Sequence, residues 1–298
     1  MALLLAGPVL SRTAPPAATP VTPAAAKTPE PIAVVPVRGA IAVITGEGGN
    51  IGVLTGPEGT VMVDAKFARY ADQIRAAIKG LGGADPRLLI NTHYHADHTD
   101  GNEAFGRSGS TIVAHSNVRK QLAKGSTIEA FKMVTPPAPA AALPVITFSD
   151  TLRLQLNGET IDLIHAPAAH TDGDSLVVFR NANVIHTGDV WFNGFYPFID
   201  VSHGGTLKGA IAGVDRVLTL ANDDTRLVAG HGPLGTRAEL LDYRAMLATA
   251  QERLGKLKAR GLTAPQAVAA QPLKDLESRW GDGLFTGDRW IEIIYAGV

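Results

Sequence analysis

The most informative part of this sequence runs Asn91-Thr92-His93-Tyr94-His95-Ala96-Asp97-His98-Thr99-Asp100-Gly101-Asn102. It places three histidines and an aspartate within six positions, directly after a short apolar run that predicts a buried strand at residues 87–90. In an extended chain, side chains two positions apart lie on the same face, so His93 and His95 can bind one metal ion together. Asp97 and His98 follow in the predicted turn, which can direct them to a neighbouring point.

Four donors divided between two directions favour two adjacent metal ions over one. Two ions about 3.5–4 Å apart form a catalytic arrangement that activates water and stabilises developing negative charge. The alternative is a histidine-rich surface loop or a structural metal clip. Further donors elsewhere in the chain favour the catalytic interpretation.

The composition is typical of a globular protein with one large domain. The chain has 298 residues, 45% of them apolar, with 27 basic and 28 acidic side chains. This balance gives no electrostatic reason to expect nucleic acid or an anionic membrane as a partner, and we expect a small-molecule substrate. No apolar run is long enough to span a bilayer. Because the chain contains no cysteine, it has no thiolate ligand and no thiol nucleophile.

The N-terminal 31 residues differ from the rest. Residues 2–10 form a short apolar run, and Ala24-Ala25-Ala26 offers small residues for cleavage, although Arg12 follows the run where a signal peptide has its basic residues before it. Residues 13–31 consist largely of Ala, Pro and Thr, a composition typical of an extended linker. We therefore predict a leader at residues 1–31 and a folded domain at 32–298. The leader favours a periplasmic or secreted protein; without export the protein would be cytoplasmic.

The apolar pattern of the folded part predicts two groups of strands with helices between and after them. Such an order indicates two sheets packed together and covered by helices. The last third contains an apolar stripe at helical spacing, which we interpret as core packing (Leu240, Tyr243, Leu247, Ala250, Leu254, Leu257). Residues 135–144, rich in Pro and Ala, are expected to form a loop. The predicted strands are residues 32–37, 40–45, 51–55, 60–63, 87–90, 111–114, 151–156, 160–165, 175–179, 183–186 and 227–229. The predicted helices before the last third are residues 67–80, 116–124 and 206–220.

Three later residues, His170, Asp189 and His231, share one sequence context. Each is a metal-binding side chain that follows a short apolar run and lies close to Gly or Thr. Glycine at such positions allows the backbone to approach a crowded centre closely. Together with the first stretch, these residues complete a set of seven donors.

The order His93-x-His95-x-Asp97-His98, His170, Asp189, His231 resembles the metallo-β-lactamase fold superfamily of hydrolases, over roughly residues 32–298. The resemblance implies a four-layer αββα sandwich of two mixed sheets. It also implies that His93, His95 and His170 hold one zinc ion, that Asp97, His98 and His231 hold a second, and that Asp189 bridges the two. Zinc is the expected metal because it suits imidazole and carboxylate ligands, which iron and manganese also accept.

The implied mechanism is attack of a metal-bound hydroxide on a carbonyl carbon, since zinc lowers the pKa of bound water from 15.7 to roughly 7. Asp97 is expected to be catalytic, orienting the nucleophile and passing a proton to the leaving group. Asp64, at a strand end, resembles a family position that supports a metal ligand from behind. The aromatic segment after Asp189 is expected to form an apolar pocket wall or simply to pack on the fold, and its candidate substrate-binding residues are Trp191, Phe192 and Tyr196.

The ligand set also bears on the type of reaction. The absence of cysteine departs from β-lactamase subclasses that use a thiolate, and a bridging Asp189 is the pattern of glyoxalase II-like thioesterases and acyl-homoserine-lactone lactonases. We therefore expect a dinuclear zinc hydrolase that opens a cyclic amide or ester, or cleaves a related acyl bond, with low β-lactamase activity compatible with the site. An iron-dependent oxygenase resembling persulfide dioxygenases, with iron on His93, His170 and Asp189, is the alternative from another class. A metal-stabilised binding protein without turnover is a third.

Overall fold

The computed structural model describes residues 29–298, so the predicted leader lies outside the described residues except for its last three. The fourteen strands of the described part are β1 (Ala33–Arg38), β2 (Ile41–Thr45), β3 (Ile51–Leu54), β4 (Thr60–Val63), β5 (Pro86–Asn91), β6 (Thr111–His115), β7 (Ser126–Ile128), β8 (Met133–Thr135), β9 (Ile146–Phe148), β10 (Thr151–Leu156), β11 (Glu159–His165), β12 (Ser175–Phe179), β13 (Val184–His186) and β14 (Arg226–Val228). The α-helices are α1 (Ala71–Gly80), α2 (Ala96–Thr99), α3 (Asn102–Arg107), α4 (Ser116–Lys124), α5 (Leu207–Leu220), α6 (Arg237–Ala259), α7 (Ala264–Ala269), α8 (Glu277–Trp280) and α9 (Gly287–Ile294).

Twelve of these strands form two sheets. The first has the order β1-β2-β3-β4-β5-β6-β9. Its first four strands pair antiparallel, and β4, β5, β6 and β9 pair parallel. The second sheet has the order β10-β11-β12-β13-β14, in which only β13 and β14 are parallel. Both sheets are therefore mixed, as predicted.

The two sheets pack face to face and are covered on their outer faces by helices. Apolar side chains of both sheets, such as Val63 and Val177, share one buried cluster between them. On the outer face of the first sheet, Ile74 and Ile78 of α1 pack against a second cluster. The largest cluster joins the outer face of the second sheet to α5, α6, α7 and α9. This arrangement confirms the predicted αββα sandwich.

The apolar stripe of α6 is confirmed as core packing. Its residues from Leu240 to Leu254 are buried in the cluster with α5 and α9, and Leu257 packs against that cluster from its edge. The helix begins with a capping box, in which Thr236 accepts from the amide of Glu239 and the Glu239 carboxylate accepts from the amide of Thr236. Among residues 29–298, no helix is both long and apolar enough to cross a membrane.

Several elements differ from the sequence prediction, which placed a turn at Asp97 and His98 where α2 forms and did not include α3. A two-stranded hairpin, formed by β7 and β8 and hereafter called the 126–135 hairpin, precedes the predicted loop. Strand β9 extends the first sheet at its edge. Each of these strands has only three residues, too few to produce a recognisable alternation, and the hairpin turn places Lys132 at φ 51° where a glycine or asparagine would have signalled a turn. The predicted helix at residues 67–80 begins as a 3-10 turn, Ala68–Tyr70, and becomes α-helical at Ala71.

Candidate metal centre

The first four candidate ligands lie where β5 gives way to α2. Asn91, the last residue of β5, exchanges two side-chain hydrogen bonds with Asn102, at 3.0 and 2.9 Å, and so closes the loop between them. His95 is the extended residue before α2, and Asp97 and His98 lie in the helix itself. The chain therefore changes direction between His95 and Asp97, as the spacing predicted.

The other three candidate ligands follow strands of the second sheet. His170 lies in the loop after β11, Asp189 in a 3-10 turn after β13, and His231 after β14. The structure brings all seven predicted donors together in two adjacent groups. The first group is His93, His95, His170 and Asp189, and the second is Asp97, His98 and His231.

Within the first group, ring nitrogens converge on one point. Nε2 of His170 lies 2.8 Å from Nδ1 of His95. The Asp189 Oδ2 atom lies 3.3 Å from Nε2 of His170 and 3.6 Å from Nε2 of His93. All four residues are buried. Three imidazole nitrogens and one carboxylate oxygen at such distances match the donors of a tetrahedral zinc site.

The second group opens toward solvent. Nε2 of His231 lies 3.2 Å from both Nε2 of His98 and Oδ2 of Asp97. His98 is buried, whereas the side chains of Asp97 and His231 are about a quarter exposed, at 25% and 22%. This group therefore has room for water or substrate beside its ligands.

Asp189 connects the two groups. Its Oδ1 lies 3.1 Å from Nε2 of His98, and its Oδ2 lies 3.4 Å from Nε2 of His231 as well as facing the first group. Nε2 of His93 and Oδ1 of Asp189 are buried yet form no hydrogen bond with any described residue. Buried polar atoms without partners are costly, and metal ions between the two groups would satisfy both.

Glycines make room for this packing. A Cβ atom on Gly49 would overlap the ring of His98, and one on Gly230 would overlap Oδ1 of Asp189. The donors fit metal ions, and the surrounding backbone is shaped to hold the donors close.

Asp64 fixes one of the rings from behind, where the sequence predicted a supporting residue. Its Oδ2 lies 2.8 Å from Nδ1 of His98 and accepts a hydrogen bond from the Thr92 hydroxyl at 2.7 Å. Nδ1 of His98 donates to this carboxylate, which leaves Nε2 free to bind a metal. The φ of Asp64 is 65°, in the left-handed region, so the backbone conformation at this strand end is specific to the site.

Asp200 fixes the ring of His95 from behind in the same way. The sequence did not predict this role. Its Oδ2 accepts from Nε2 of His95 at 3.0 Å, from the hydroxyl of Tyr94 at 2.5 Å and from Nδ1 of His203 at 2.8 Å. Tyr94 therefore points away from the ligands. No local motif marks Asp200, which follows the aromatic segment in the loop before α5. The ring of His170 is fixed in turn by the carbonyl of Phe198, which lies 2.7 Å from Nδ1.

The electrostatics of the two groups differ. In the second group burial is outweighed by Asp189 and Asp97, which raise the pKa of His231 to about 9 and that of His98 well above its usual range, so metal binding there must displace protons. The first group is already in the form that binds metal. Burial lowers the pKa of His170 to about 4 and the pKa of His93 well below its usual range, so both imidazoles are neutral at pH 7. Burial disfavours the charged forms of Asp97 and Asp189, but adjacent imidazoles, chiefly His98 and His231, outweigh it and hold the pKa of each carboxyl well below its usual range. Neutral imidazole and ionised carboxylate are the protonation states that bind metals.

A cavity of about 660 Å³ leads to the ligands. His95, Asp97, Asp189 and His231 form its inner end. Its walls come from the aromatic segment after Asp189, the 126–135 hairpin, the loop at Gly48 and the chain before α9. The lining residues beyond the ligands are Glu47, Gly48, Phe67, Ile128, Phe131, Met133, Phe192, Phe195, Phe198, Gly283 and Leu284.

Of the three predicted substrate-binding residues, the structure places only Phe192 in this cavity. Trp191 is fully buried in the core under α6. Tyr196 is also fully buried, with its ring stacked on that of Trp290 at 4.5 Å, so its hydroxyl is not directed to the ligands. The segment is irregular, and Phe192, Phe195 and Phe198 face the cavity while Trp191 and Tyr196 face the helices. The hairpin residues and Leu284 were not anticipated because their contribution depends on tertiary packing.

A family model described as the metallo-beta-lactamase superfamily matches residues 44–233. The chain belongs to this superfamily. Its clustered His and Asp side chains are candidate metal ligands.

Two relatives and one solved structure illustrate the similarity. The chain is 27% identical over 229 residues to the 2,4-dinitroanisole O-demethylase subunit alpha of Nocardioides sp. (strain JS1661), covering 75% of this chain and 65% of that one. It is 26% identical over 183 residues to the acyl-coenzyme A thioesterase MBLAC2 of Gallus gallus, covering 53% of this chain and 64% of the relative. The match thus spans slightly less than two thirds of each relative. A metallo-beta-lactamase from Pontibacter korlensis has the same fold, with a TM-score of 0.58 and 18% identity over 73% of this chain and 99% of that one.

Proposed function

We propose that this protein is a dinuclear zinc hydrolase that cleaves the acyl bond of a lactone, an ester or a thioester. The observation that carries the proposal is the position of Asp189. Its carboxylate lies between two groups of donors, with Oδ2 directed to His170 and His93 and Oδ1 to His98. A single carboxylate shared between two ligand groups is suited to bridging a pair of ions.

We propose that His93, His95 and His170 hold one ion, that Asp97, His98 and His231 hold the other, and that Asp189 contacts both. Bound there, the ions would supply the Lewis acidity that polarises the scissile carbonyl and lowers the pKa of the attacking water. In the net reaction water adds to the carbonyl carbon, the bond from that carbon to oxygen or sulfur breaks, and one proton passes to the leaving group. The products are a carboxylic acid and an alcohol or thiol.

Asp97 is the residue proposed to move that proton. Its side chain is about a quarter exposed and lines the cavity beside His231, at 3.2 Å. Its low pKa keeps it ionised, so the carboxylate can accept a hydrogen bond from the attacking water and hold a proton only transiently. A carboxylate at this position can then release the proton to the leaving group, which can leave through the cavity.

Asp64 and Asp200 are proposed to orient the ligands. Each accepts a hydrogen bond from the ring nitrogen of a histidine on the side away from the cluster, which fixes both the tautomer and the angle of the ring. Neither touches the cavity, so their contribution is positional.

One of the two relatives supports an acyl bond as a candidate target. One is named as an acyl-coenzyme A thioesterase, and another as an O-demethylase subunit. An iron-dependent oxygenase on His93, His170 and Asp189 is the contrasting proposal. The presence of the second donor group favours the hydrolase, because the oxygenase arrangement does not require it.

The test is metal analysis combined with a substrate panel. Protein purified without added chelator is expected to contain close to two zinc ions per chain, and Asp189→Ala close to one or fewer. Zinc-loaded protein would be assayed on a chromogenic β-lactam, a γ-lactone and a thioester, with chelator-treated protein as the control. Chelator-sensitive opening of the lactone or cleavage of the thioester supports the proposal. Iron in place of zinc, with sulfite released from a persulfide, would instead establish the oxygenase.

A further inference from the structure

The cavity that leads to the metal ligands is mainly apolar. Its volume of about 660 Å³ lies within the range typical of small-molecule sites, roughly 300–1,000 Å³. Eight of its lining side chains are apolar, and five of these are phenylalanines: Phe67, Ile128, Phe131, Met133, Phe192, Phe195, Phe198 and Leu284. A substrate that reaches the ligands must therefore lie against hydrocarbon over most of its length.

No lysine or arginine is among the described residues that line this cavity. The ionisable lining residues within the ligand groups are carboxylates and histidines, and Glu47 is the one further charged side chain among the described lining residues. Glu47 is already paired with Arg69, at 2.9 Å. Among residues 29–298, the outer lining of this cavity therefore offers no positive charge to a substrate anion.

Three cations close to this cavity are engaged in other contacts, and Lys132, in the turn of the 126–135 hairpin, is exposed and is not among the residues that line the cavity. The ammonium of Lys66 is buried and donates to the carbonyl of Gly49 at 2.6 Å. The guanidinium of Arg69 lies over the ring of Phe67 at 4.2 Å while it pairs with Glu47. Beyond Phe198, Arg289 lines a separate cavity and is paired with Glu292 at 2.8 Å.

A second cavity continues past His231 on the other side of the loop at Gly48. It has a volume of about 690 Å³, shares Gly48, Phe195 and His231 with the first cavity, and has no lysine, arginine, aspartate or glutamate among its described lining residues. In the described part of the chain, both approaches thus lack a lysine or arginine to pair with a carboxylate, phosphate or sulfonate group on the substrate away from the ligands.

We propose that the substrate is an uncharged apolar ester or lactone, and that the site discriminates against substrates that carry an anionic group away from the scissile bond. This inference rests on the proposed function for the reaction itself. Its physical basis is the cost of removing an anion from water into an apolar wall with no cation to receive it. The apolar lining of the cavity, and not the ligand set, therefore disfavours substrates such as a β-lactam carboxylate or a phosphorylated thioester.

The test compares two esters that differ only in charge. One is 4-nitrophenyl hexanoate, and the other is the mono-4-nitrophenyl ester of hexanedioic acid, which replaces the terminal methyl group with a carboxylate. We expect chelator-sensitive kcat/KM to be at least about 100-fold higher for the hexanoate ester. Equal rates, or a preference for the carboxylate ester, would overturn the inference while leaving the proposed hydrolysis intact.

A charge-introduction variant with a matched control makes the test specific. Leu284 lines the cavity and is 47% exposed, so Leu284→Arg adds a cation at the rim without disturbing the core. It is expected to reduce the preference for the hexanoate ester at least tenfold. Val134, on the 126–135 hairpin, is 73% exposed and does not line the cavity, so Val134→Arg adds the same charge and should leave the preference unchanged. If both variants reduced the preference for the hexanoate ester equally, the apolar lining of the cavity would not be its cause.

A binding measurement separates this inference from the proposed function. Hexanoyl hydroxamate and the monohydroxamate of hexanedioic acid both offer a metal-binding group, and isothermal titration of zinc-loaded protein measures their affinities without turnover. Binding of the uncharged hydroxamate that is tighter by tenfold or more supports the inference, whether or not the esters are hydrolysed. Failure to hydrolyse either ester would overturn the acyl-hydrolase proposal alone. Equal affinities would overturn the inference whatever the hydrolytic activity.

Discussion

Asp200 accepts a hydrogen bond from Nε2 of His95 at 3.0 Å, and this contact directs the opposite ring nitrogen, Nδ1, to within 2.8 Å of His170. The other candidate histidines present Nε2 to the cluster, so His95 is oriented differently from its neighbours. A carboxylate that fixes the tautomer of a ligand also increases its basicity. The affinity for metal should therefore depend on a residue that touches no metal.

Asp200→Ala is expected to weaken zinc binding about 10- to 100-fold, because His95 loses the acceptor that fixes its ring. Competition with a chromophoric chelator at pH 7.5 measures this affinity. Ser202→Ala is the matched control, since the Ser202 hydroxyl donates to Oδ1 of Asp200 at 2.6 Å without touching His95. Unchanged zinc affinity in Asp200→Ala would contradict the orienting role.

Asp97→Asn is expected to lower kcat for the preferred substrate about 10²- to 10⁴-fold, because an amide cannot accept and release the transferred proton. Zinc content is measured in parallel, since Asp97 is also a candidate ligand. Glu103→Gln, which neutralises an exposed carboxylate on α3, should retain full activity. An Asp97→Asn protein with full metal content and full rate would eliminate Asp97 as a proton carrier.

Lys66 should make stability depend on pH in the alkaline range. Burial lowers the pKa of Lys66 from 10.5 to about 8, against the opposing charges of Asp97, Asp64 and Glu47. Between these two values the unfolded state binds more protons than the folded state, so the free energy of unfolding rises with pH. We expect the wild-type protein to gain roughly 1–3 kcal/mol relative to Lys66→Met between pH 8 and 10.

Urea denaturation of zinc-loaded protein at several pH values in this window measures the effect. The buried tyrosines titrate in both proteins, so their contribution cancels in the difference. Curves of wild type and Lys66→Met that remain parallel across the window would show that Lys66 does not titrate there.

His115 should contribute a second pH dependence, in the acid range. Its Nδ1 accepts from the amide of Asn117 at 3.2 Å and so caps α4, and its ring stacks on that of His165 at 3.8 Å. Burial, followed by the neighbouring His165, lowers the pKa of His115. The unfolded state therefore binds more protons as pH falls below about 6.5, and stability is lost in that direction.

His115→Asn keeps a side chain suited to helix capping but removes the titrating group. The variant is expected to lose less stability than the wild type between pH 6.5 and 5, and to match its pH dependence above pH 7.5. Thermal unfolding across this range measures the difference. A larger acid sensitivity in the variant would contradict the assignment to His115.

The sequence predicted the elements that depend on local pattern. The fold followed from short β-branched runs and one long helical stripe, because these periodicities report burial directly. The candidate ligands were found because four of them lie within six positions and the rest follow strand ends. The supporting role of Asp64, which directly follows β4, was implied by the family resemblance.

The parts that could not be predicted depend on distant contacts. Asp200 lies 105 positions from His95, and nothing in its neighbourhood distinguishes it from a surface aspartate. The 126–135 hairpin has strands too short to show alternation, yet it supplies Phe131 and Met133 to the cavity. Within the aromatic segment, only the structure separates Phe192, which lines the cavity, from Tyr196, which packs on Trp290.

The glycines that crowd the candidate ligands have a consequence for how this protein can diverge. Any side chain at Gly49 or Gly230 would collide with His98 or Asp189, so the floor of the site tolerates almost no variation. The opposite wall is built from partly exposed side chains on the 126–135 hairpin and at Leu284, where replacement leaves every ligand untouched. Substitutions at a few rim positions can therefore change which substrate is bound, in nature or in directed evolution, while the candidate ligands stay the same.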